Sequence, residues 1–427
     1  MNTDTIFALA SGAGRAAVAL IRLSGAGTRG VAEALCGRLP TPRTAALRSL
    51  RGPDGGLLDR AILLWFPGPA SYTGEDSAEL HVHAGPAVID GVADALVAAG
   101  ARPAEPGEFT ERAFLNGRVD LLEAEAIADL IAAETSEQRT QALRQMGGAL
   151  GSIYRDWAAR LLAQLARQEA MIDFPDEDIP DSVEQGIIDD LTSLVRDMAA
   201  HLDDGGRGER LRDGLVFAIV GPPNAGKSTL MNALAGREVA IVSPIPGTTR
   251  DVIEARVVLD GIPVTLLDTA GLRDSADAIE AEGIRRARAR ASEADLVVHV
   301  SDDEVEPGLQ GPILHVRSKG DVLSIPSADG LVVSGLTGAG IPELRAALAA
   351  EARKLANAAG PPVLTRARHR AAVAAALGCI ERALEAPVAE LRGEDLRLAV
   401  QALGRLTGAV HVEDVLDSVF RQFCIGK

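Results

Sequence analysis

Lys227 and Ser228 close the pattern Gly221-Pro-Pro-Asn-Ala-Gly-Lys-Ser228, which follows the apolar run Leu215 to Val220 and opens the helix-favouring run Lys227 to Ala235. Strand, glycine-rich loop and helix in that order make a phosphate cradle. Backbone N–H groups and the helix N-terminus face a β-phosphate, the ammonium of Lys227 reaches the β and γ oxygens, and the hydroxyl of Ser228 coordinates Mg²⁺. Asn224, Ala225, Gly226 and Thr229 complete the nucleotide-facing loop. Of 43 basic residues only four are lysines: Lys227, Lys319, Lys354 and Lys427. A chain that writes nearly all its positive charge as arginine has kept a compact ammonium where phosphates suit a point charge better than a planar fork.

Downstream, Gly247-Thr-Thr-Arg-Asp251 lies between Ala240 to Val242 and the strand-like Ile253 to Leu259. Here a loop can close over a γ-phosphate and Mg²⁺, so that Gly247, Thr248 and Thr249 become sensitive to hydrolysis, with Thr249 and Ser228 as the Mg²⁺ ligands. The apolar run Val264 to Leu267 then delivers Asp268-Thr-Ala-Gly271. Asp268 would hold the Mg²⁺ shell, and Gly271, behind Thr269 and Ala270, would bring its N–H to the γ-phosphate. Base choice falls to Ser318-Lys-Gly-Asp321 and Ser334-Gly-Leu336, with Lys319 and Gly335 inside them. The carboxylate of Asp321 can accept from guanine N1 and N2, a pair that adenine cannot donate, which favours GTP. Ser318 occupies the first place of the Asn-Lys-x-Asp pattern and lacks its amide. Leu272 follows Gly271 and cannot orient a water, so that role passes to Asp274, Asp277, Glu280 or Glu282, or to Arg250 or Arg273; each of these is otherwise an ordinary solvated residue.

These residues need a scaffold of several domains, and 427 residues with 47% apolar content supply two or three. Residues 1–117 mix short apolar runs with turns and read as an α+β domain; Ala78, Leu80 and Val82 alternate with polar neighbours, so His81 and His83 share a strand face, solvent-facing rather than metal-binding. Helical spacing begins at Val119 and fills residues 118–211, with acid residues crowding Asp173 to Asp190 as a solvated face or loop. It resumes in residues 351–427, over Arg366 to Leu384, Leu391 to Leu406 and Val412 to Phe420. The fold class is multidomain: an α+β domain, one all-α domain split in two, and an inserted α/β nucleotide domain at 212–350 with a mainly parallel sheet. Asp295 to Val300 and Ile313 to Val316 are expected as parallel neighbours, joined by a link so short and so rich in Asp, Gly and Pro that its helix is cut to a turn. A net charge of −17 argues against a surface coated for nucleic acid and leaves local basic patches. Three widely spaced cysteines fit a reducing compartment, and no signal peptide or membrane span is apparent, so the chain is expected in the cytoplasm.

Nearly the whole chain resembles the MnmE (TrmE) family of tRNA-modification GTPases. The resemblance rests on Ser71-Tyr-Thr-Gly-Glu-Asp76, Pro106-Gly-Glu-Phe-Thr110, Ala113-Phe-Leu-Asn116, Ile172-Asp-Phe-Pro175, the nucleotide motifs, and the ending Phe423-Cys-Ile-Gly-Lys427. It implies a folate-binding N-terminal domain, a helical domain and an inserted G domain. It further implies a homodimer that joins a flavoprotein, MnmG, in a heterotetramer and places an aminomethyl-type (carboxymethylaminomethyl) group on C5 of the wobble uridine of certain tRNAs. The one-carbon donor would be 5-formyl- or methylene-tetrahydrofolate. By position Arg22, Glu79, Arg118 and Lys427 match the folate contacts, Arg118 standing where relatives have lysine. A K⁺ site would use Asn224, Ser243, Ile245 and Thr248, in a loop stiffened here by Pro244 and Pro246. Glu280 aligns with the water-activating glutamate, and Cys424 with a C-terminal cysteine near the folate. The rival from another class is a ribosome-assembly GTPase switch without modification chemistry; a second is a folate enzyme with a regulatory G domain.

Overall fold

The structure is a computed structural model of the chain and describes residues 4–12, 14, 16–174, 180–222, 224–236, 254–268, 294–301, 312–321, 331–356, 363–408, 416, 419–421, 423 and 426. They form two compact units, Met1–Ala128 with Gly404–Lys427, and Asp129–Leu403.

In the first unit the strands β1 (Thr5–Leu9), β2 (Val18–Ser24), β3 (Ala46–Arg51), β4 (Leu57–Phe66), β5 (Ser77–His83) and β6 (Ala101–Pro103) form one sheet in the order β3-β4-β5-β2-β1-β6. Only β1 and β6 pair in parallel. Period-two patterning sends Ile21, Leu23, Leu63, Trp65, Ala78, Leu80 and Val82 to the face covered by helices Thr28–Cys36 and Pro86–Ala98. On the other face His83 is exposed and bonds Asp59 at 2.8 Å, while His81 is half-buried; no group of metal-ligating side chains forms among the described residues.

Helix Glu108–Leu115 starts from Gly107, whose φ of +76° suits glycine and whose missing side chain lets the Phe420 carbonyl approach; a β-carbon there would lie 2.5 Å from that oxygen. Phe114, Leu121, Val419, Phe420 and Phe423 make a small core of their own. Gly426 fits against the Leu9 carbonyl at the end of β1. The same unit holds an ionic cluster. Arg112, only 5% exposed, pairs with Asp4 and Glu108 at 2.8 Å and with Glu75 at 3.3 Å, and Arg102 pairs with Asp4 and Glu108 at 2.5 Å. Burial alone would raise the carboxyl pKa of Asp4, but hydrogen bonds from Arg102 and Arg112 bring it below the ordinary range; Glu108 is lowered for the same reasons with help from the Glu105 N–H.

The second unit has a helical part and a nucleotide part. Helices Ala149–Asp173, Asp181–Leu202 and Ala367–Glu385 pack along apolar stripes that include Leu161, Ile187, Leu191, Leu194, Met198, Val373 and Ile380. Of the two expectations for the acidic stretch, the solvated face holds from Asp181 onward: the segment is helix with Glu184 and Asp189 exposed, and Asp190 is tied to Arg160 at 2.6 Å and to Gln164 at 2.8 Å. A short polar helix, Ser136–Met146, escapes hydrophobic-periodicity reading; its signal is the capping box in which Thr135 and Gln138 satisfy each other's backbone N–H groups.

Strands β7 (Leu215–Val220), β8 (Glu254–Leu259), β9 (Ile262–Asp268), β10 (Leu296–Val300), β11 (Ile313–Arg317) and β12 (Leu331–Val332) form a sheet in the order β12-β11-β10-β7-β9-β8. All pairs are parallel except the β8–β9 hairpin, which turns through Asp260 (φ +48°) and Gly261 (φ +82°), the Asp-Gly chemistry of a two-residue turn. Central β10 is buried throughout, as a parallel strand covered on both faces should be. The expected pairing of β10 with β11 holds from Val297 opposite Ile313 to Val300 opposite Val316. The expected loss of a helix in their link falls at 302–311, outside the described residues. No described helix is long and apolar enough to cross a membrane.

Candidate functional site

Adjacent parallel strands β7 and β9 end together, Ile219 opposite Asp268, and this places the phosphate loop beside a carboxylate. Gly221 is required there because a β-carbon would stand 2.3 Å from the Val300 carbonyl of β10. Asn224 and Gly226 take left-handed backbone, φ +64° and +88°, and helix Lys227–Ala235 begins at once. Lys227 is 5% exposed and its Nζ donates to the carbonyls of Gly221 at 2.6 Å and Pro222 at 2.9 Å, so the ammonium lies along the mouth of the loop. Ser228 Oγ donates to Asp268 Oδ2 at 2.5 Å. A buried lysine, a hydroxyl and a buried carboxylate thus converge at one helix N-terminus, where a polyphosphate and a divalent cation would find complementary charge.

Two further loops close on this point. Ser318 donates its hydroxyl to the Ala225 carbonyl, binding the loop after β11 to the phosphate loop. Lys319 is left-handed at φ +59°, and Asp321 lies exposed with its pKa lowered, chiefly by the hydrogen bond from the Ser334 side chain. Gly335 lets its loop pack on Thr229, whose carbonyl would be 2.9 Å from a β-carbon at 335, and Leu336 is 81% exposed. Asn224 to Thr229, Asp268, Lys319, Asp321 and Ser334 to Leu336 therefore occupy one end of the sheet. Ser243, Ile245, Gly247, Thr248, Thr249, Thr269, Ala270, Gly271 and Glu280 lie outside the described residues, as do Cys424 and Lys427.

The first unit holds a second site. Arg22 on β2 faces Glu79 on β5 in register and bonds it at 3.0 Å, and with Arg118 both line a cavity of about 380 Å³. Arg43, Phe66 and Tyr72 line it as well; spacing gave no hint of Arg43 or Phe66, which the fold brings in from the loop before β3 and the end of β4. The Arg22 guanidinium stands 5.8 Å from the Tyr72 ring centre and that of Arg43 5.7 Å from Phe66. Burial pushes the Tyr72 phenol up, and its oxygen bonds Thr110 at 2.9 Å. Three guanidinium groups, one fixed carboxylate and aromatic walls suit a flat heterocycle with an N–H edge and an anionic tail.

Residues 5–118 match the family model of the GTP-binding protein TrmE N-terminus, and residues 121–424 that of the MnmE helical domain. The tRNA modification GTPase MnmE of Gluconacetobacter diazotrophicus is 63% identical, over 99% of this chain and 98% of that protein. That of Rhodospirillum rubrum is 51% identical over 100% of both. Of solved structures, the G domain of the T. maritima FeoB iron transporter is similar to 32% of this chain and 98% of that chain, at 24% identity and a TM-score of 0.21.

Proposed function

We propose a function from one premise: the chain belongs to the MnmE family of tRNA modification GTPases. It binds and hydrolyses GTP in the service of tRNA modification. The observation that carries this reading is the convergence of Ser228 Oγ on Asp268 at 2.5 Å beside buried Lys227. Ser228, with Thr249 and the Asp268 shell, would hold Mg²⁺, which neutralises charge on the β- and γ-phosphates. Lys227 would leave the Gly221 and Pro222 carbonyls for phosphate oxygens, Asp321 would accept from the guanine edge, and Glu280 would position the attacking water. A K⁺ held by Asn224, Ser243, Ile245 and Thr248 would supply the charge that an arginine finger supplies elsewhere. In its support, Asn224 is an exposed residue of the phosphate loop with left-handed backbone.

The finer reading is that the protein acts as a homodimer, with an MnmG-type flavoprotein, to build a carboxymethylaminomethyl-type group on C5 of the wobble uridine. The cavity lined by Arg22, Glu79 and Arg118 would hold the tetrahydrofolate donor, with Lys427 and Cys424 close by. Its support is the chemistry of the lining: Glu79, oriented by Arg22, can accept from a pterin edge, and the arginines can bind a glutamyl carboxylate. The deciding experiment is a nucleoside profile of tRNA from cells lacking the protein. We expect loss of the modified wobble uridine, restored by the wild-type gene but not by Arg22→Ala. An unchanged profile would leave the ribosome-assembly switch as the better account.

A further inference from the structure

Gln138, Gln141 and Gln145 recur at helical spacing along one face of helix Ser136–Met146. Gln138 Nε2 donates to the Arg212 carbonyl at 2.9 Å and Gln141 Nε2 to the Gly208 carbonyl at 3.0 Å, both in helix Arg207–Asp213, which feeds β7 and the phosphate loop. Gln145 Oε1 accepts from Thr365 Oγ1 at 2.9 Å, where the chain has left the nucleotide part. The N-terminal end of the same helix meets the β8–β9 hairpin. Glu134 pairs with Arg256 of β8 at 3.3 Å, and the Glu137 carboxylate lies so close to Gly261 at the hairpin tip that a β-carbon there would overlap it. From that tip β9 runs without a break to Asp268, the carboxylate that receives the Ser228 hydroxyl.

One short helix thus touches the chain entering the nucleotide part, the chain leaving it, and the hairpin whose second strand ends at the phosphate site. Around the buried Ala142 the contact is made mainly of amides on backbone carbonyls, and it borders a cavity of about 30 Å³ lined by Asp129, Ala132, Gln138, Gln141, Ala142 and Arg212, room for about one water. Apolar packing at native density would lock these elements together; exchangeable hydrogen bonds with space beside them can re-pair when the hairpin shifts. We propose that helix Ser136–Met146 is the coupling element that passes the state of the nucleotide site to the helical bundle, with Gln138, Gln141 and Glu137 as its positioning residues. The inference rests on the reading of the phosphate loop as a GTP site.

The test is amide hydrogen exchange on the full-length protein with Mg²⁺ and either GDP or a non-hydrolysable GTP analogue. Changing the nucleotide should alter exchange in the 221–236 segment and, by at least about threefold, in helix Ser136–Met146. In Gln138→Ala/Gln141→Ala or in Glu137→Ala the loop response should stay and the helix response should fall away; loss in either variant supports coupling. A wild-type helix indifferent to nucleotide while the loop responds would overturn it, as would an undiminished helix response in both variants. If 221–236 itself does not respond, the GTP reading falls and takes the coupling with it.

Discussion

The hydroxyl of Ser318 donates to the carbonyl of Ala225, 93 positions earlier in the chain, so the base loop and the phosphate loop are held as one piece. From the Asn-Lys-x-Asp pattern a serine reads as a missing amide; in the fold its hydroxyl reaches the Ala225 carbonyl instead.

Ser318→Ala should therefore weaken GDP binding by about 3- to 10-fold, the worth of one neutral hydrogen bond that orders a site. The maximal rate of hydrolysis should hold. Titration calorimetry beside a saturating turnover assay measures both, and an unchanged Kd would show that the tether adds nothing.

Asp321→Asn should weaken GTP binding and admit xanthosine triphosphate, since an amide donates where the carboxylate only accepts. The Ser334 hydroxyl lowers the Asp321 pKa, so guanine recognition should survive to below the ordinary carboxylate range and fail as pH falls further. Ser334→Ala should move that failure to higher pH. Fluorescent-nucleotide affinity across an acid series would reveal it; superimposable curves would remove Ser334 from the base site.

Hydrolysis should run faster in KCl than in NaCl at equal ionic strength, and Asn224→Ala should abolish the difference. Glu280→Ala should lower kcat by roughly 10- to 1,000-fold with little change in affinity, as loss of a water-positioning group does. Equal rates in the two salts would dismiss the cation, and a wild-type kcat in the second variant would return Glu280 to the surface.

Glu108, 5% exposed and shared by Arg102 and Arg112, should be costly to neutralise. Glu108→Gln should destabilise the first unit by about 3 kcal/mol at pH 7, because breaking a buried pair leaves charge uncompensated. Its folded pKa is depressed, so its contribution is full above the unfolded value near 4.5 and is lost as pH falls through the folded value. The gap between wild type and variant should thus narrow below about pH 4.5. Urea unfolding followed by Trp65, 2% exposed, in a Trp157→Phe background reads this unit alone; a gap independent of pH would contradict the ionic account.

Local pattern encodes the contiguous parts of the fold. An apolar run, a glycine-rich loop and a helix former are contiguous, so the phosphate site from Leu215 to Ala235 was visible, and so were the alternation in β5 and the parallel pairing of β10 with β11. Contacts between distant segments were not visible. Arg43 and Phe66 join Arg22 only because β4 pairs with β5 and β5 with β2. Helix Ser136–Met146 carries glutamines where periodicity seeks leucines, so only its capping box could betray it.

Helix Asp181–Leu202 keeps Ile187, Leu191, Leu194 and Met198 fully buried, and part of that cover comes from helix Ala367–Glu385. The two flank the inserted nucleotide part; the bond from the Leu364 N–H to Asp204, close to where they meet, already spans 160 positions. On the ribosome, at about 5 to 20 residues per second, the earlier helix waits roughly 10 to 30 seconds for the later one. During that interval its apolar stripe is open to water, to chaperones and to other nascent chains, so slow translation between 203 and 366 should lower the yield of protein more than slow translation after 385.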